Sequence, residues 1–304
     1  MRWRGNRKSR NIEDRRGSSP ARMSGYGRRG GGNILRLLPV VVRVLGVKGT
    51  VILAVIGIGF LMLTGNLENI VNMQTGTSGT PATDSHQPIQ QSASEKELVE
   101  FVSVILADTE DTWHQIFAEQ GETYQEPKLV LFRNVVRSAC GMAQSATGPF
   151  YCPGDQKVYI DLSFFDQLRS QLNAPGDFAQ AYVIAHEVGH HIQTLTGISS
   201  KVHSTRMRLN EVEGNKLSVK QELQADCFAG VWAYHAERMR DLLEDGDIEE
   251  GLTAASAIGD DTLQRQSQGY VRPDAFTHGT SAQRVKWFKT GLMTGDMNQC
   301  DTFS

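Results

Sequence analysis

Cysteine is scarce in this chain of 304 residues, and its placement narrows the possible chemistry. The chain has only four cysteines, Cys140, Cys152, Cys227 and Cys300. No two are spaced as C-x-x-C, so a metal site built from cysteines has no support. An even number instead suits two disulfides in an oxidising compartment. Of the three possible connectivities, we favour Cys140–Cys152, which closes a short loop, and Cys227–Cys300, which ties the C-terminal tail to a strongly helical segment.

Acidic residues are nearly absent from the N-terminal region. Residues 1–48 contain thirteen lysines and arginines but only two acidic residues, so the net charge of −3 conceals a strong asymmetry along the chain. A basic tail of this kind can bind nucleic acid. Its position before a long apolar segment favours a membrane role instead, and we expect no nucleic-acid partner.

Charge is absent from residues 49–67, which begin with the run GTVILAVIGIGFLMLTG. A helix of this length spans about 25–29 Å, near the short limit for crossing a bilayer. The segment lacks an amphipathic stripe and contains glycines, which disfavours a buried helix of a soluble domain. The basic region is too long for a cleavable signal peptide, and no small-x-small site follows cleanly. We therefore predict a single transmembrane helix at 49–67, in contact with membrane lipid.

The positive-inside rule gives this helix an orientation. Residues 1–48 become a basic cytoplasmic tail, and the chain after residue 67 lies outside the cytoplasm. Residues 68–94 are rich in Thr, Ser, Gln and Gly, which predicts a flexible linker. The folded domain then comprises residues 95–304. It opens with helical periodicity and contains strand-like segments at 130–136 and 156–161, which predicts an α+β fold, mainly helical with a small β-sheet.

The stretch AHEVGHHIQ, residues 185–193, has two histidines four residues apart and a glutamate directly after the first. On the helix that the apolar pattern around it predicts, positions i and i+4 share one face. His186 and His190 then converge on one ion at about 2.0–2.1 Å, the usual zinc–nitrogen distance. Glu187 lies beside the metal, where it acts as a base without being a ligand. A bound Zn²⁺ also gives these buried polar groups the partner they need.

A catalytic zinc usually has three protein ligands and one open position. The helical segment 220–239 carries Glu222 and Asp226 four residues apart, and therefore on one face. We assign Glu222 to the metal. We assign Asp226 to the outer N–H of a ligand histidine, whose tautomer it fixes. Three other histidines are alternative candidates for the third ligand: His191, His203 and His235. His203 is the strongest of these alternatives.

The segment HEVGHHIQ followed by ELQADCFAGVWA resembles a bacterial family described as putative neutral zinc metallopeptidases. The resemblance extends to MRWRGNRKSRNIEDRRG, CGMAQSATGPFYCPGDQKVYIDLSFF and HGTSAQRVKWF, and covers most of the chain except the linker. That family is similar to gluzincin-type peptidases, whose third ligand is the glutamate of an E-x-x-x-D segment. The resemblance implies a zincin-like domain with zinc on His186, His190 and Glu222, the base on Glu187, and a supporting carboxylate on Asp226. Because that family is bacterial, the predicted span is expected in the inner (cell) membrane, and the positive-inside rule places the domain on its periplasmic or extracytoplasmic side.

Three further features are expected, and two of them, the role of His278 and the edge strand, follow from the likeness to known zinc peptidases. His278 stands just before a predicted helix, and a downstream histidine or tyrosine stabilises the oxyanion in related enzymes, so the likeness implies this role for His278. Arg284 is expected to pair with Asp226 or another acid. Zincin peptidases also present an edge strand on which an extended peptide pairs, and residues 156–160 are the candidate strand.

These features predict a membrane-anchored zinc peptidase that hydrolyses a peptide or protein substrate outside the cytoplasm. Glu187 takes a proton from water and delivers it to the leaving amine, so no serine or cysteine nucleophile is required. Two alternatives stay open. One is a non-catalytic, zinc-containing membrane scaffold, against which the intact Glu187 argues. The other is a zinc hydrolase of a cell-wall amide, because the chemistry is shared.

Overall fold

Helices dominate the computed structural model, which describes residues 1–17, 91–144 and 148–304. The helices in this part of the chain are α1 Ala93–Glu119, α2 Ser163–Ser170, α3 Asp177–Leu195, α4 Ile198–Arg206, α5 Glu211–Arg240, α6 Asp247–Ala257, α7 Asp260–Gln268 and α8 Ser281–Thr294. The strands are β1 Ile12–Asp14, β2 Lys128–Phe132, β3 Val135–Ser138, β4 Gly141–Gln144, β5 Phe150–Cys152 and β6 Lys157–Asp161. The predicted α+β class, mainly helical with little sheet, is confirmed.

The larger sheet has the strand order β1-β2-β6-β5. Strands β1, β2 and β6 are parallel, with Leu129 opposite Ile12 on one side and Val158 on the other. Strand β5 runs antiparallel to β6. Because β2 and β6 are paired on both sides, they are almost completely buried, as continuous apolar runs predict. Strands β3 and β4 form a separate hairpin.

Helix α3 lies in the core, packed against α1, α5 and α6. Its Gly189 allows this packing, because a Cβ there would lie 3.0 Å from the carbonyl oxygen of Ala225 on α5. Helix α1 joins α5 through Trp113, whose ring stacks edge-on against Phe228 at 5.7 Å. The close approach expected from a glycine inside the H-E-x-x-H helix is therefore present.

Helices α5 and α8 approach each other through two glycines. A Cβ on Gly291 would lie 1.9 Å from the carbonyl oxygen of Cys227, and one on Gly230 would lie 2.1 Å from that of Phe288. Only glycine fits such a contact. It brings the second half of α8 against the middle of α5.

Both disulfides favoured from the sequence are present. Cys140–Cys152 links the β3–β4 hairpin region to strand β5. Cys227–Cys300 ties the C-terminal 3₁₀ turn Met297–Cys300 to helix α5. Both sulfur atoms of the second bond belong to fully buried residues.

The N-terminal residues differ from the cytoplasmic tail expected at 1–48. Residues 1–16 belong to the same folded unit as the C-terminal domain. Strand β1 pairs with β2, and Trp3 is buried against the ring of Phe101 on α1 at 5.3 Å. The physical reason is that the basic residues meet acidic partners on α1, as Arg7 does with Glu110 at 2.9 Å. Charge composition alone did not reveal these long-range pairs.

The predicted transmembrane helix at 49–67 and most of the linker at 68–94 lie outside the described residues. Within the described ranges, no helix is long and apolar enough to cross a membrane. Helix α1 begins at Ala93, two residues before the expected domain boundary. Ser92 caps this helix by accepting a hydrogen bond from the Glu95 amide at 3.1 Å.

Candidate metal centre

Three ligand atoms converge where α3 crosses α5. The Nε2 atom of His186 lies 3.2 Å from one carboxylate oxygen of Glu222, and the Nε2 atom of His190 lies 3.4 Å from the other. Four tetrahedral ligands bonded to zinc at about 2.0–2.1 Å lie about 3.3 Å from one another. With all three ligand atoms within 4.8 Å of one another, two imidazoles and one carboxylate are close enough to hold a zinc ion together.

Asp226 orients the ring of His186 through Nδ1, the ring nitrogen that does not face Glu222. It is fully buried, and one of its oxygens accepts a hydrogen bond from Nδ1 of His186 at 2.9 Å. The same carboxylate receives the Nε and Nη2 groups of Arg284 at 2.8 Å each, and the hydroxyl of Tyr182 donates to it as well. Because Nδ1 is held as the donor, Nε2 of His186 keeps its lone pair for a metal.

The second histidine is fixed by an amide. Nδ1 of His190 lies 2.9 Å from Oε1 of Gln193, which is fully buried one turn later on α3. Sequence reasoning missed both Gln193 and Tyr182. Their spacing carries a signal, since Tyr182 precedes His186 by four residues and Gln193 follows His190 by three, on the face that bears the ligands.

The electrostatics of the cluster suit a divalent cation. Burial alone would lower the pKa of His186, but the charge of Asp226 and its hydrogen bond outweigh this and raise the pKa to about 9. Burial alone would raise the pKa of Glu222, but the two histidines hold it well below its usual range. Asp226 and Glu222 are thus ionised, and in the metal-free protein the histidines provide the compensating positive charge. A bound metal would provide that charge in their place.

Glu187 lines the cleft that opens beside these ligands and forms no hydrogen bond with any other described residue. The cleft has a volume of about 420 Å³. Its walls are formed mainly by apolar side chains, including Phe164, Val183 and Ile258. A carboxylate without a partner, next to the ligand set and facing a cleft, is available for proton transfer.

His278 reaches the same cleft from the loop before α8. Its Nδ1 atom lies 3.3 Å from Asp260, and the hydrogen bond with this carboxylate raises the pKa of His278. Asp260 is itself held by the backbone amides of three consecutive residues, Thr277, His278 and Gly279. The structure therefore brings His278 to the cleft with one side of its ring fixed.

The rival histidines lie elsewhere. His203 is exposed on α4, and His235 lies 2.9 Å from the carbonyl oxygen of Gly295. His191 is fully buried between the Tyr151 hydroxyl at 3.0 Å and the Gln125 carbonyl at 2.6 Å. Among the described residues, none of the three joins the ligand cluster.

The candidate edge strand at 156–160 is wrong. Those residues fall largely in β6, which is paired with β2 on one side and with β5 on the other. The two end strands of the described sheet are β1 and β5, and Phe150 and Tyr151 of β5 line the cleft. The order of strands depends on the parallel pairing of β2 with β6, which local sequence does not specify.

The H-E-x-x-H motif on α3 and the downstream glutamate on α5 lie side by side, which is the arrangement of a candidate zinc site. A family model described as "Putative neutral zinc metallopeptidase" matches residues 1–303. The chain therefore belongs to this family, as the sequence resemblance predicted.

The relatives compared with this chain are described as uncharacterized proteins. The chain is 51% identical to the uncharacterized protein YpfJ of Escherichia coli K12, over 100% of this chain and 99% of that protein. It is 44% identical to the uncharacterized protein Mb2605 of Mycobacterium bovis, over 60% of this chain and 64% of that protein. No solved structure matches.

Proposed function

We propose that this protein is a zinc-dependent peptidase that hydrolyses peptide bonds outside the cytoplasm, with Glu187 as general base. The observation that carries the proposal is the ligand set. The Nε2 atoms of His186 and His190 face the two oxygens of Glu222 at 3.2 and 3.4 Å, beside a cleft that also contains Glu187. A structural zinc site would need neither the open side nor the adjacent base.

The chain supplies the groups that a hydrolytic reaction requires. Zinc bound by the ligand set supplies Lewis acidity for a carbonyl and lowers the pKa of water toward about 7. Glu187 takes the proton from the attacking water and then delivers it to the leaving amine. Asp226 and Gln193 keep the outer nitrogens of the two histidines protonated. His278, held by Asp260, donates a hydrogen bond to the negative charge that develops on the carbonyl oxygen.

An extended substrate suits the geometry of the cleft. Strand β5 lines the cleft and ends the described sheet, so a peptide can add to it by backbone hydrogen bonds. The apolar walls favour a neutral, apolar side chain next to the scissile bond. Arg284 lines the cleft too, but its charge is committed to Asp226.

Two observations support a location at the membrane, outside the cytoplasm. The uncharged run at 49–67 has the length of a membrane anchor. Two disulfides suit an oxidising compartment, because cytosolic thiols are kept reduced.

The test is hydrolysis of a diverse peptide library by the full chain, with and without a chelator. Glu187→Gln should reduce the rate by about 10²–10⁴-fold, the usual contribution of a general base. Its zinc content should match the parent, since Glu187 is not a ligand. Glu211→Gln is the matched control, because Glu211 is exposed at the start of α5 and does not line the cleft.

Each other outcome points to a different function. Equal activity of Glu187→Gln and the parent would reject the peptidase and favour a scaffold. A parent that leaves peptides intact but cleaves a cell-wall amide would change the substrate class. Loss of zinc from Glu187→Gln would show that the roles within the motif are misassigned.

A further inference from the structure

Gln193 stands at the start of a buried chain of amides that leads away from the metal ligand His190. Its Nε2 group donates to the carbonyl oxygen of Gln221 at 2.7 Å and to Oε1 of Gln224 at 3.0 Å. The Nε2 group of Gln224 donates in turn to the carbonyl oxygen of Cys300 at 3.0 Å. Gln193 is fully buried and Gln224 is 5% exposed, so water does not compete for these contacts.

The two backbone carbonyls determine the orientation of both amides. A carbonyl oxygen only accepts hydrogen bonds, so each amide must present its NH₂ group to it. Gln224 therefore turns its oxygen toward Gln193. Gln193 turns its oxygen toward Nδ1 of His190, which must then carry a hydrogen.

We propose that Gln193 is a positioning residue for His190, and that the relay through Gln224 to the disulfide-anchored Cys300 sets the tautomer of this ligand. The proposal rests on the proposed function, since it assigns Nε2 of His190 to the zinc. With the hydrogen fixed on Nδ1, the Nε2 lone pair faces Glu222. Groups that hold the outer nitrogen of a ligand histidine typically change metal affinity by about 10–100-fold.

The experiment measures zinc affinity of the full chain by competition with a fluorescent chelator. Gln193→Leu keeps the bulk of the side chain but removes the acceptor, so zinc affinity should fall by about 10–100-fold. The ring Nδ1–H of His190 in the zinc-loaded protein should also lose its slow exchange with solvent, as followed by ¹⁵N NMR. Gln115→Leu, on helix α1 outside the cleft lining, should leave both measurements unchanged.

An unchanged zinc affinity, or a slowly exchanging Nδ1–H in Gln193→Leu, would overturn the assignment. If Gln193→Leu does not fold, Gln224→Leu decides, since it frees the far end of the relay. Weaker zinc binding by Gln224→Leu supports the relay, and parental binding rejects it. None of these measurements involves hydrolysis. A parent that binds no zinc would instead refute the proposed function itself.

A second inference rests on different contacts, those of the N-terminal segment. Strand β1 is an integral part of the sheet, because the Leu129 amide donates to the Asn11 carbonyl and the Arg15 amide donates to the Leu131 carbonyl, both at 2.8 Å. Without β1, the buried strand β2 would expose an unpaired edge.

Helix α1 also depends on this segment. Glu110 is 1% exposed, and its carboxylate receives hydrogen bonds from Asn11 and Arg7 at 2.9 Å each and from the Ser9 hydroxyl. All of these partners lie within residues 7–11. Removing the segment would take away these hydrogen-bond partners of a carboxylate that is buried in the folded chain, which is costly.

The segment ends where helix α1 begins. The side chain of Arg16 is completely buried and lies 2.8 Å from the carboxylate of Glu95, in the first turn of α1. The described residues that precede and follow residues 18–90 are therefore in contact with each other.

From these contacts we infer that residues 1–16 and the domain beginning at Ala93 lie on the same side of the membrane. Strand pairing cannot form through about 30 Å of hydrocarbon. A chain that leaves and returns on one side crosses the bilayer an even number of times or not at all. The apolar run at 49–67 can then anchor the protein, but not as the only crossing between a cytoplasmic tail and an external domain.

The test uses single cysteines in the full chain. The four native cysteines are paired in disulfides, so a membrane-impermeant maleimide reacts only with an introduced one. Arg10→Cys and Lys289→Cys are both at exposed positions, one in the N-terminal segment and one on α8. In cells with a permeabilised outer membrane, both should react, or both should react only after lysis. Reaction of one with protection of the other until lysis would establish a single crossing and overturn the inference.

Discussion

Asp226 is the residue whose replacement tests most sharply how the metal site is supported. Its carboxylate is fully buried and receives both Nε and Nη2 of Arg284, which is 2% exposed. Asp226→Asn preserves the shape of the side chain but removes its charge. It leaves the guanidinium of Arg284 buried without a counter-charge. One carboxylate oxygen that accepts a hydrogen bond becomes an NH₂ group, which is itself a donor and faces the donors of its former partners.

The size of the effect follows from this burial. Breaking a buried ion pair by removing one partner costs about 3–5 kcal/mol, whereas an exposed pair contributes about 0–1 kcal/mol. We expect Asp226→Asn to lie in the first range. Arg284→Met should also be destabilising, since it leaves Asp226 buried with fewer donors. The double variant should be more stable than the sum of the two losses predicts, by about 0.5–3 kcal/mol.

The assay is urea unfolding of the zinc-free full chain in the presence of a chelator, so that metal binding does not add to stability. Zinc affinity is then measured separately and should fall by about 10–100-fold in Asp226→Asn, because His186 loses the group that fixes its tautomer. A loss of stability below about 1 kcal/mol, or two single losses that simply add, would show that the pair behaves like a surface contact.

Three further predictions follow from the same structure. Replacing both cysteines of Cys227–Cys300, which are 73 residues apart, by alanine should cost about 4 kcal/mol, against about 3 kcal/mol for Cys140–Cys152 at a separation of 12; thermal unfolding that gives the reverse order would contradict this. Gly291→Ala should destabilise the chain, because the new Cβ would lie 1.9 Å from the Cys227 carbonyl oxygen. Gly214→Ala should instead stabilise helix α5 by up to about 1 kcal/mol, because the nearest neighbour of its Cβ would be 3.8 Å away. Equal effects of the two substitutions would show that α5 and α8 are not in close contact. Asp226 raises the pKa of His186 from 6.5 to about 9, against the effect of burial. The zinc-free protein should therefore be stabilised most by this group below pH 6.5, and should lose that stabilisation as the pH rises through about 9. A melting temperature of the zinc-free protein that increases over this interval would reject the proposed ion pair.

The sequence was sufficient for the parts of the site that lie on one helix. His186, Glu187 and His190 are placed by helical spacing alone, and the close packing at Gly189 follows from the same pattern. Glu222 lies 36 residues after His186 in the chain, so helical spacing could not place the two together. Its role as the third ligand was inferred from the usual three-ligand zinc site, and the resemblance to gluzincins implies the same role. The structure brings its carboxylate to both histidines.

The parts that sequence reasoning missed depend on contacts between distant segments. The N-terminal residues were interpreted from their positive charge, but Arg7 and Arg16 find Glu110 and Glu95 on helix α1. Strand β6 was taken for an edge because its pairing with β2 is long-range. In both cases the local sequence pattern was interpreted correctly. What it did not contain was the identity of the distant segment with which these residues pair.

The C-terminal part of the chain contributes none of the three proposed metal ligands, yet its residues belong to the hydrogen-bond networks behind both proposed ligand histidines. Arg284 on α8 holds Asp226 behind His186, and the carbonyl of Cys300 ends the relay that reaches His190 through Gln193. The glycine contact between α5 and α8 and the Cys227–Cys300 disulfide keep these groups in place. A comparison limited to H-E-x-x-H and the downstream glutamate would therefore find the ligands but not the residues that determine how tightly they bind. If the proposed zinc site is correct, substitutions of Arg284 or Cys300 should for this reason affect zinc affinity, although neither residue is a proposed ligand.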